Sequence, residues 1–314
     1  MKKKQPNEVY SLQDLETWSE TSRGITPPVR LAVVGDPVAH SLSPQMQNAA
    51  LRERAIGLQY ARFQVTPTDL KRALKLFREN EFVGFNLTLP HKQTATRLMD
   101  GLDAQAKQVG AINTIVVREG KLDGFNTDGI GFSRAVREEF SVDLRDLRIL
   151  IIGAGGAARA IAYECASQNC ERLVIANRTR VTAEGLVHEL QSFFAGPRVL
   201  GPVARLQAIG LDESELRNQI PHTDLLVNAT PVGLQRSDRV IVPARILEPH
   251  LMIYDTVYSA GRTPLLVAAA ETGGRGCNGL SMLLHQGAQA FELWFDRDPP
   301  LDAMRQALST AYAG

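Results

Sequence analysis

The chain has 314 residues, of which 44% are hydrophobic and 22% are charged, and its formal net charge is +1. This length accommodates two domains of ordinary size, and the near-zero net charge gives no reason to expect a nucleic acid or an anionic membrane as a partner. No apolar run approaches membrane-spanning length, and the basic start is not followed by the apolar core of a secretory signal. Three cysteines without C-x-x-C spacing indicate reduced thiols, so we expect a cytoplasmic protein.

The first elements place two serines after a strand. Residues 1–29 are interpreted as an N-terminal extension, either a tail or a segment that packs on the body through Leu15 and Trp18. A strand is predicted at Leu31–Val34. Ser43, followed by proline, predicts the N-cap of a helix that runs to about residue 54. Ser41 has no evident structural role, and two hydroxyls at the carboxyl end of a strand are able to bind a polyol or a carboxylate.

The next two predicted strands lead to a candidate catalytic lysine. Alternation of polar and apolar residues predicts a strand at Tyr60–Val65, and an apolar run predicts another at Phe82–Leu87. The second strand presents Asn86 and Thr88 on one face. A proline then ends the strand and places Lys92 in the first turn of a helix, where a cation opposes the helix dipole. Such a lysine is either catalytic or simply an exposed solubilising residue.

A hairpin then leads into the second half of the chain. A helix is predicted at Ala104–Val109, and two short strands with a turn at Glu119-Gly120 predict the hairpin. The chain leaves the hairpin at Asp128, which starts a helix to about Phe140. Helix capping alone is sufficient to explain an aspartate at that position.

The centre of the chain has a buried strand followed by a glycine-rich turn. The apolar run Ile149–Ile152 leads into Gly153, Gly155 and Gly156, and a helix pattern of small residues follows. Gly155 has no Cβ, so backbone N–H groups are accessible to a pyrophosphate, and the positive end of the helix points at that charge. Alone this turn is a weak signal for a dinucleotide, because a tight turn without a ligand has the same pattern.

The residues after the next strand favour NADP over NAD. The predicted strand Arg172–Ala176 ends in Asn177, Arg178, Thr179 and Arg180. In dinucleotide-binding folds an acid at this place bonds the 2′-hydroxyl of NAD, whereas an arginine accommodates the 2′-phosphate of NADP. Here there is no acid, and a guanidinium offers a planar fork of donors to phosphate.

The remaining pattern alternates strands and helices. The segment Pro197–His222 is interpreted as a variable connection with one helix. Further elements are predicted as helix Val181–Phe194, strands Asp224–Val227 and Leu251–Asp255, and helices Thr263–Ala270, Ser281–Phe295 and Leu301–Tyr312. Alternation of this kind predicts an α/β fold with largely parallel sheets.

Several separated motifs together resemble the shikimate dehydrogenase family. They are Ser41-Leu42-Ser43, Asn86–Lys92, the glycine turn with Asn177-Arg178-Thr179, Asn228-Ala229-Thr230, and Met282–Trp294. The resemblance implies reversible, NADPH-dependent reduction of 3-dehydroshikimate to shikimate, in a cleft between an N-terminal α/β substrate domain and a Rossmann-type dinucleotide-binding domain. It implies a discontinuous substrate domain (30–128 and 281–314) and an NADP-binding domain (129–280), after the extension 1–29.

The resemblance also assigns roles to individual residues. Substrate contacts fall on Ser41, Ser43, Asn86, Thr88, Asn113, Tyr258 and Gln286. The catalytic pair falls on Lys92 and Asp128. Cofactor contacts fall on Gly153, Ala154, Gly155, Gly156, Ala157, Asn177, Arg178, Thr179, Thr230 and Gly279. A lysine ammonium near the substrate oxygen would stabilise the negative charge that develops there and deliver the proton.

The same reading leaves rival functions and partners open. A quinate or quinate/shikimate dehydrogenase is the nearest rival, and that branch tends to use NAD. An aminoshikimate enzyme and a non-catalytic ligand-sensing relative are the others. No metal is expected, because no cluster of histidine, cysteine or acids has ligand spacing, and His91 is interpreted as structural. A monomer or a homodimer is expected.

Overall fold

The computed structural model describes residues 9–195, 204–235, 237–258 and 261–313. The chain forms two compact units, one of Met1–Thr127 with Gln286–Gly314 and the other of Asp128–His285. The sequence placed the second boundary at 280/281, whereas the structure has it five residues later, within a helix. Among the described residues, none of the helices has both the length and the apolar character needed to cross a bilayer.

The first unit is built on one mixed sheet. Its strands are β1 (Val9–Tyr10), β2 (Val29–Gly35), β3 (Gln59–Gln64), β4 (Gly84–Leu87), β5 (Gly101–Leu102), β6 (Thr114–Arg118) and β7 (Lys121–Phe125). Its helices up to β7 are α1 (Leu12–Glu16), α2 (Trp18–Thr21), α3 (Ser43–Glu53), α4 (Leu70–Glu79) and α5 (Ala104–Val109). The strand order is β1-β3-β2-β4-β6-β7-β5, and pairing is parallel except on both sides of β6. The predicted hairpin of β6 and β7 is confirmed.

Strand β3 is buried on both faces. Alternation over this strand is typical of a half-exposed sheet, but Tyr60, Ala61, Arg62 and Phe63 are all buried. The reason is that both of its faces are covered, by the aromatic cluster around Phe63 on one side and by α3 on the other, so its polar side chains point into the unit instead of into water. Polar groups buried in this way need partners, and the strand therefore carries interior hydrogen bonds.

The N-terminal segment from residue 9 onward is part of the first unit. Strand β1 pairs in parallel with β3, and both Leu15 and Trp18 are buried. The Trp18 ring lies 5.2 Å from the ring of Tyr10, 5.4 Å from that of Phe63 and 5.6 Å from that of Phe82, measured between centroids. Of the two interpretations of this segment, packing through Leu15 and Trp18 is the one that the structure has.

Replacing Trp18 by alanine should therefore destabilise the first unit strongly. Truncation of a buried tryptophan removes its apolar contacts and leaves a cavity, at a cost of about 3–5 kcal/mol in the free energy of unfolding. Urea denaturation followed by circular dichroism measures the change. Ser19→Ala, at an exposed neighbouring position, is the control and should change the free energy by less than about 0.5 kcal/mol. Equal stability of the two variants would contradict the packing role.

The second unit is built on one fully parallel sheet. Its elements are α6 (Asp128–Phe140), β8 (Arg148–Ile152), α7 (Gly156–Ser167), β9 (Arg172–Ala176), α8 (Arg180–Leu190), β10 (Leu206–Ile209), α9 (Glu213–Gln219), β11 (Leu225–Asn228), β12 (Met252–Asp255), α10 (Pro264–Glu271), β13 (Arg275–Cys277) and the start of α11 (Leu280–Phe295). Helix α12 (Leu301–Ala313) then completes the first unit and packs on α3.

The strand order of the second sheet is that of a dinucleotide-binding fold. Strands run β10-β9-β8-β11-β12-β13, which is 3-2-1-4-5-6 when counted within the unit. In such sheets ligands bind beyond the carboxyl ends of the strands where the order reverses, here between β8 and β11. Strands β10 and β13 were missed by the sequence analysis, because one is only half-buried and the other is three residues long beside glycines.

Candidate active site

The serine segment lies between β2 and α3, and its local geometry differs from the prediction. Ser43 is the first residue of α3 instead of its N-cap, which is Leu42. The side chain of Ser41 does have a structural role, because its Oγ accepts a hydrogen bond of 3.3 Å from the backbone N of Ser43. None of the described residues bonds the Ser43 hydroxyl, so that group remains available to a ligand.

Asn86, Asn113 and Gln286 form one buried hydrogen-bond network. The antiparallel pairing of β4 with β6 places the residue before β6 beside the carboxyl end of β4. The Asn86 amide therefore donates to the carbonyl of Asn113 over 3.1 Å and to the hydroxyl of Thr114 over 3.0 Å. The Asn113 amide donates in turn to Gln286 Oε1 over 3.1 Å. Three predicted substrate residues thus come from distant parts of the chain to one place.

The turn after β4 carries Thr88 and Lys92. The prediction that Lys92 lies in the first turn of a helix is wrong, because it lies in a turn and a short 3₁₀ helix begins only at Thr94. The cause is the backbone of Lys92, whose carbonyl accepts from the N–H of Ile112 over 2.8 Å and ties the turn to the segment before Asn113. Lys92 is half-buried, and none of the described residues bonds the hydroxyl of Thr88.

The buried side chain of His91 anchors this turn by a hydrogen bond to the end of a neighbouring strand segment. Its Nε2 donates to the carbonyl of Val65 over 2.8 Å, since a carbonyl only accepts. Burial lowers the pKa of His91, so the ring is held neutral with its proton on Nε2. The interpretation of His91 as a structural residue agrees with this geometry.

The glycine turn of the second unit is open at the helix end. Gly155 is the N-cap of the 12-residue helix α7, with φ −79° and ψ −173°, and a Cβ built there has no heavy atom within 4 Å. At Gly153, by contrast, φ is +116°, and a Cβ would lie 2.9 Å from the carbonyl oxygen of Ala229 and 3.1 Å from Thr230 Cγ2. The glycine at position 153 therefore allows the turn after β8 to pack closely against the turn after β11. Gly155 leaves room for a phosphate beside the helix N-terminus.

The flanks of the turn follow the same pattern. Gly156 is the first residue of α7, Ala154 is 7% exposed, and Ala157 is half-buried. Small side chains at these positions keep the approach to the helix N-terminus unobstructed.

The two arginines after β9 have different surroundings. Arg180 bonds Glu184 over 3.1 Å and Glu215 over 3.2 Å, so its guanidinium is already engaged. Arg178 is exposed, and within the described part of the chain no carboxylate pairs with it. The amide of Asn177 donates to the carbonyl of Thr179 over 3.0 Å and shapes the turn between them. Of the two, Arg178 is therefore the one that is available to a phosphate.

A buried aspartate organises the carboxyl ends of β11 and β12. Asp255 accepts from Asn228 Nδ2 over 2.9 Å, from the N–H of Val257 over 3.1 Å and from the Thr263 hydroxyl over 2.6 Å. Burial raises the pKa of the Asp255 carboxyl, and these hydrogen bonds oppose the rise. Asn228 Oδ1 also accepts from the N–H and the hydroxyl of Thr230. This network holds Thr230 and Val257, the residue before Tyr258, at the ends of the two strands.

The remaining candidates are placed as follows. Asp128 is buried and is the first residue of α6, and Tyr258 follows β12 and is half-buried. A Cβ on Gly279 would lie 2.1 Å from the carbonyl oxygen of Thr256, so no other residue fits there. The described residues contain no group of three or more histidine, cysteine or acidic side chains placed to hold a metal ion.

The sequence analysis missed three polar residues that hold these sites together. They are Tyr60, Arg62 and Asp255. All three are buried and lie in strands. The available signal was a polar or charged residue inside an otherwise apolar strand, which is expensive to bury without a partner.

Comparison with known proteins assigns both units to one family. The models "Shikimate dehydrogenase substrate binding domain", "Shikimate / quinate 5-dehydrogenase" and "Shikimate 5'-dehydrogenase C-terminal domain" match residues 33–115, 134–198 and 279–308. A relative from Methanopyrus kandleri, named shikimate dehydrogenase (NADP(+)), is 42% identical over 280 residues, which cover 88% of this chain and 94% of that protein.

Solved structures with bound ligands give the same result. The chain is similar to a shikimate dehydrogenase crystallised with NADP+, with a TM-score of 0.81 at 35% identity, covering 90% of this chain and 96% of that one. It is also similar to the Thermus thermophilus shikimate 5-dehydrogenase solved with NADP(H) and shikimate. That match has a TM-score of 0.77 at 34% identity and covers 90% of this chain and 99% of that one.

Proposed function

Because the chain belongs to the shikimate dehydrogenase family, we propose that it catalyses the reversible, NADP-dependent reduction of 3-dehydroshikimate to shikimate. The observation that carries the proposal is the pairing of an open glycine turn at Gly155 with an intact set of polar residues around Asn86, Asn113 and Lys92. A ligand sensor has no need of both. The relatives named above act on shikimate with NADP+, according to their names.

In the substrate half, the free hydroxyls and the oriented amides determine what is recognised. The hydroxyls of Ser43 and Thr88 are able to donate or to accept, whereas both amide protons of Asn86 are already used. Asn86 therefore accepts from the ligand, so the ligand presents a hydroxyl there. We assign Ser41, Ser43, Asn86, Thr88, Asn113, Tyr258 and Gln286 to substrate binding, which suits a polyhydroxylated carboxylic acid.

For the reaction, we assign the catalytic roles to Lys92, as the general acid, and to Asp128. The ammonium of Lys92 stabilises the charge that develops on the substrate oxygen and gives it a proton; in the oxidative direction the amine takes the proton back. The nicotinamide, when bound, supplies or accepts the hydride. Asp128 is buried at the start of α6, and we assign to it the contact with a substrate hydroxyl.

For the cofactor, the residues present fit a dinucleotide with a 2′-phosphate. The space at Gly155 and the positive end of α7 suit the pyrophosphate, and Gly153, Ala154, Gly156 and Ala157 form the turn around it. Asn177, Arg178 and Thr179 would hold the adenosine phosphate. Thr230 and Gly279 border the remaining part of the cofactor site.

Arg178→Ala should therefore change the choice of cofactor. A charge-assisted hydrogen bond to phosphate contributes about 1.5–3 kcal/mol, so kcat/KM for NADP should fall about 10- to 100-fold while kcat/KM for NAD stays within about threefold. Steady-state kinetics with each cofactor measures both. Arg180→Ala is the matched control, because that guanidinium is paired with two glutamates. Equal losses for NADP and NAD would contradict the assignment.

One assay separates this function from its rivals. The purified protein is tested with shikimate and with quinate, each with NADP and with NAD. Turnover of shikimate with NADP supports the proposal. Turnover of quinate with NAD alone would indicate a quinate dehydrogenase, and ligand binding without turnover in any combination would indicate a sensor. Aminoshikimate as a third substrate tests the remaining alternative.

The proposed function includes a cellular compartment and an oligomeric state. None of the three cysteines is in a disulfide, as is usual for proteins of a reducing compartment, and we assign the protein to the cytoplasm. We propose a monomer or a homodimer in solution, which sedimentation analysis decides.

A further inference from the structure

The geometry points to Arg62, on β3, as the residue that positions the serine segment for substrate binding. This inference rests on the proposed function and concerns a residue that lies outside the motifs of the family. Arg62 is 5% exposed, although it lies in the interior of a sheet. A guanidinium in that place is expensive to bury unless it has a definite task.

The contacts of Arg62 show what it holds. Its Nε donates to the carbonyl of Ser41 over 3.0 Å, and its Nη2 donates to the same oxygen over 2.6 Å. Nη2 also donates to Gln45 Oε1 over 2.9 Å, on the first turn of α3. The fork of one guanidinium therefore fixes both Ser41, two residues before α3, and the first turn of that helix, which begins at Ser43.

Arg62 acts on the substrate through the serines. Because the Ser41 carbonyl is held, the Ser41 side chain is in place to accept from the N–H of Ser43, and the Ser43 hydroxyl remains unpaired among the described residues. A lysine at position 62 keeps the charge but cannot span both contacts with a planar fork. Loss of the fork would let the segment shift, and small displacements of a binding group cost affinity steeply.

Strand β3 supports a second predicted substrate residue in the same way. Tyr60 lies two residues before Arg62 and therefore on the same face of the strand. Its hydroxyl donates to Asn86 Oδ1 over 2.8 Å, because the amide orientation is set by the Asn113 carbonyl. Tyr60 and Arg62 are thus two buried side chains on one face of β3. One bonds the Asn86 side chain and the other bonds the Ser41 backbone.

The test is the kinetics of Arg62→Lys. We expect KM for shikimate to rise about tenfold, kcat to change by less than about threefold and KM for NADP to stay unchanged, since the chemistry and the cofactor site are untouched. The matched control is Arg172→Lys. Arg172 is also a buried strand arginine that donates to backbone carbonyls, but it lies at the amino end of β9. It should leave all three constants unchanged.

A double-mutant cycle with Ser43→Ala distinguishes positioning from a general structural role. If Arg62 acts through the serines, Arg62→Lys should raise KM by only about threefold or less in the Ser43→Ala background. Multiplicative effects on KM, or an unchanged KM in folded Arg62→Lys, would overturn the inference. If Arg62→Lys does not fold, Gln45→Ala, which removes one partner of the Arg62 guanidinium, provides the test in the same cycle with Ser43→Ala. Inactivity of the wild-type protein with shikimate would instead overturn the proposed function. Failure of the Arg62 inference and failure of the proposed function therefore give different results.

Discussion

Lys92→Ala should lower kcat for shikimate oxidation by about 10²- to 10⁴-fold and change KM for shikimate by less than about threefold. The ammonium of Lys92 is the proposed proton donor and charge stabiliser, so its loss is felt mainly in the transition state. The backbone contact of Lys92 with Ile112 survives the substitution, because it involves the carbonyl. The turn should therefore keep its shape.

The measurement is steady-state formation of NADPH, with shikimate binding measured separately by thermal shift. Lys107→Ala is the control: this lysine is exposed on α5 and should leave both constants unaffected. A kcat near the wild-type value would remove Lys92 from the mechanism. A rise in KM as large as the fall in kcat would instead give it a binding role.

Gly155→Val should strongly weaken productive NADP binding without unfolding the protein. The backbone at Gly155 is extended and a Cβ meets nothing within 4 Å, so we expect the fold to tolerate the substitution in the absence of ligand. It then occupies the space proposed for the pyrophosphate. Overpacking and a lost charge-assisted contact each cost about 1–3 kcal/mol, so kcat/KM for NADP should fall on the order of 100-fold.

Gly185→Ala is the matched control for Gly155→Val. Gly185 lies in α8, where a Cβ also has no neighbour within 4 Å. Replacing a helical glycine by alanine should raise stability by up to about 1 kcal/mol and leave the kinetics unchanged. Thermal shift with shikimate should be retained in both variants. Wild-type affinity for NADP in Gly155→Val would place the cofactor elsewhere.

The sequence by itself determined the parts of this protein that depend on local chemistry. The apolar run before Gly153 predicted β8 and the following helix, because a buried parallel strand needs continuous apolar residues and the turn needs a residue that tolerates positive φ. The motifs around Asn86 and Arg178 likewise predicted polar groups at strand ends. Their spacing follows from the strand period and from helix starts, which neighbouring residues control.

Only the tertiary structure decided which polar groups are free and which are used. Sequence alone favoured Arg178 as the phosphate ligand, but it could not show that Arg180 is already paired, because the glutamates that engage Arg180 lie on α8 and α9. It placed Lys92 in a helix, whereas a long-range backbone bond from Ile112 holds it in a turn. Arg62 could not be recognised as a positioning residue, because its burial depends on α3 covering that face of β3 and its hydrogen bonds depend on a carbonyl 21 residues earlier. Burial and pairing of this kind arise from contacts between distant segments, which no local pattern encodes.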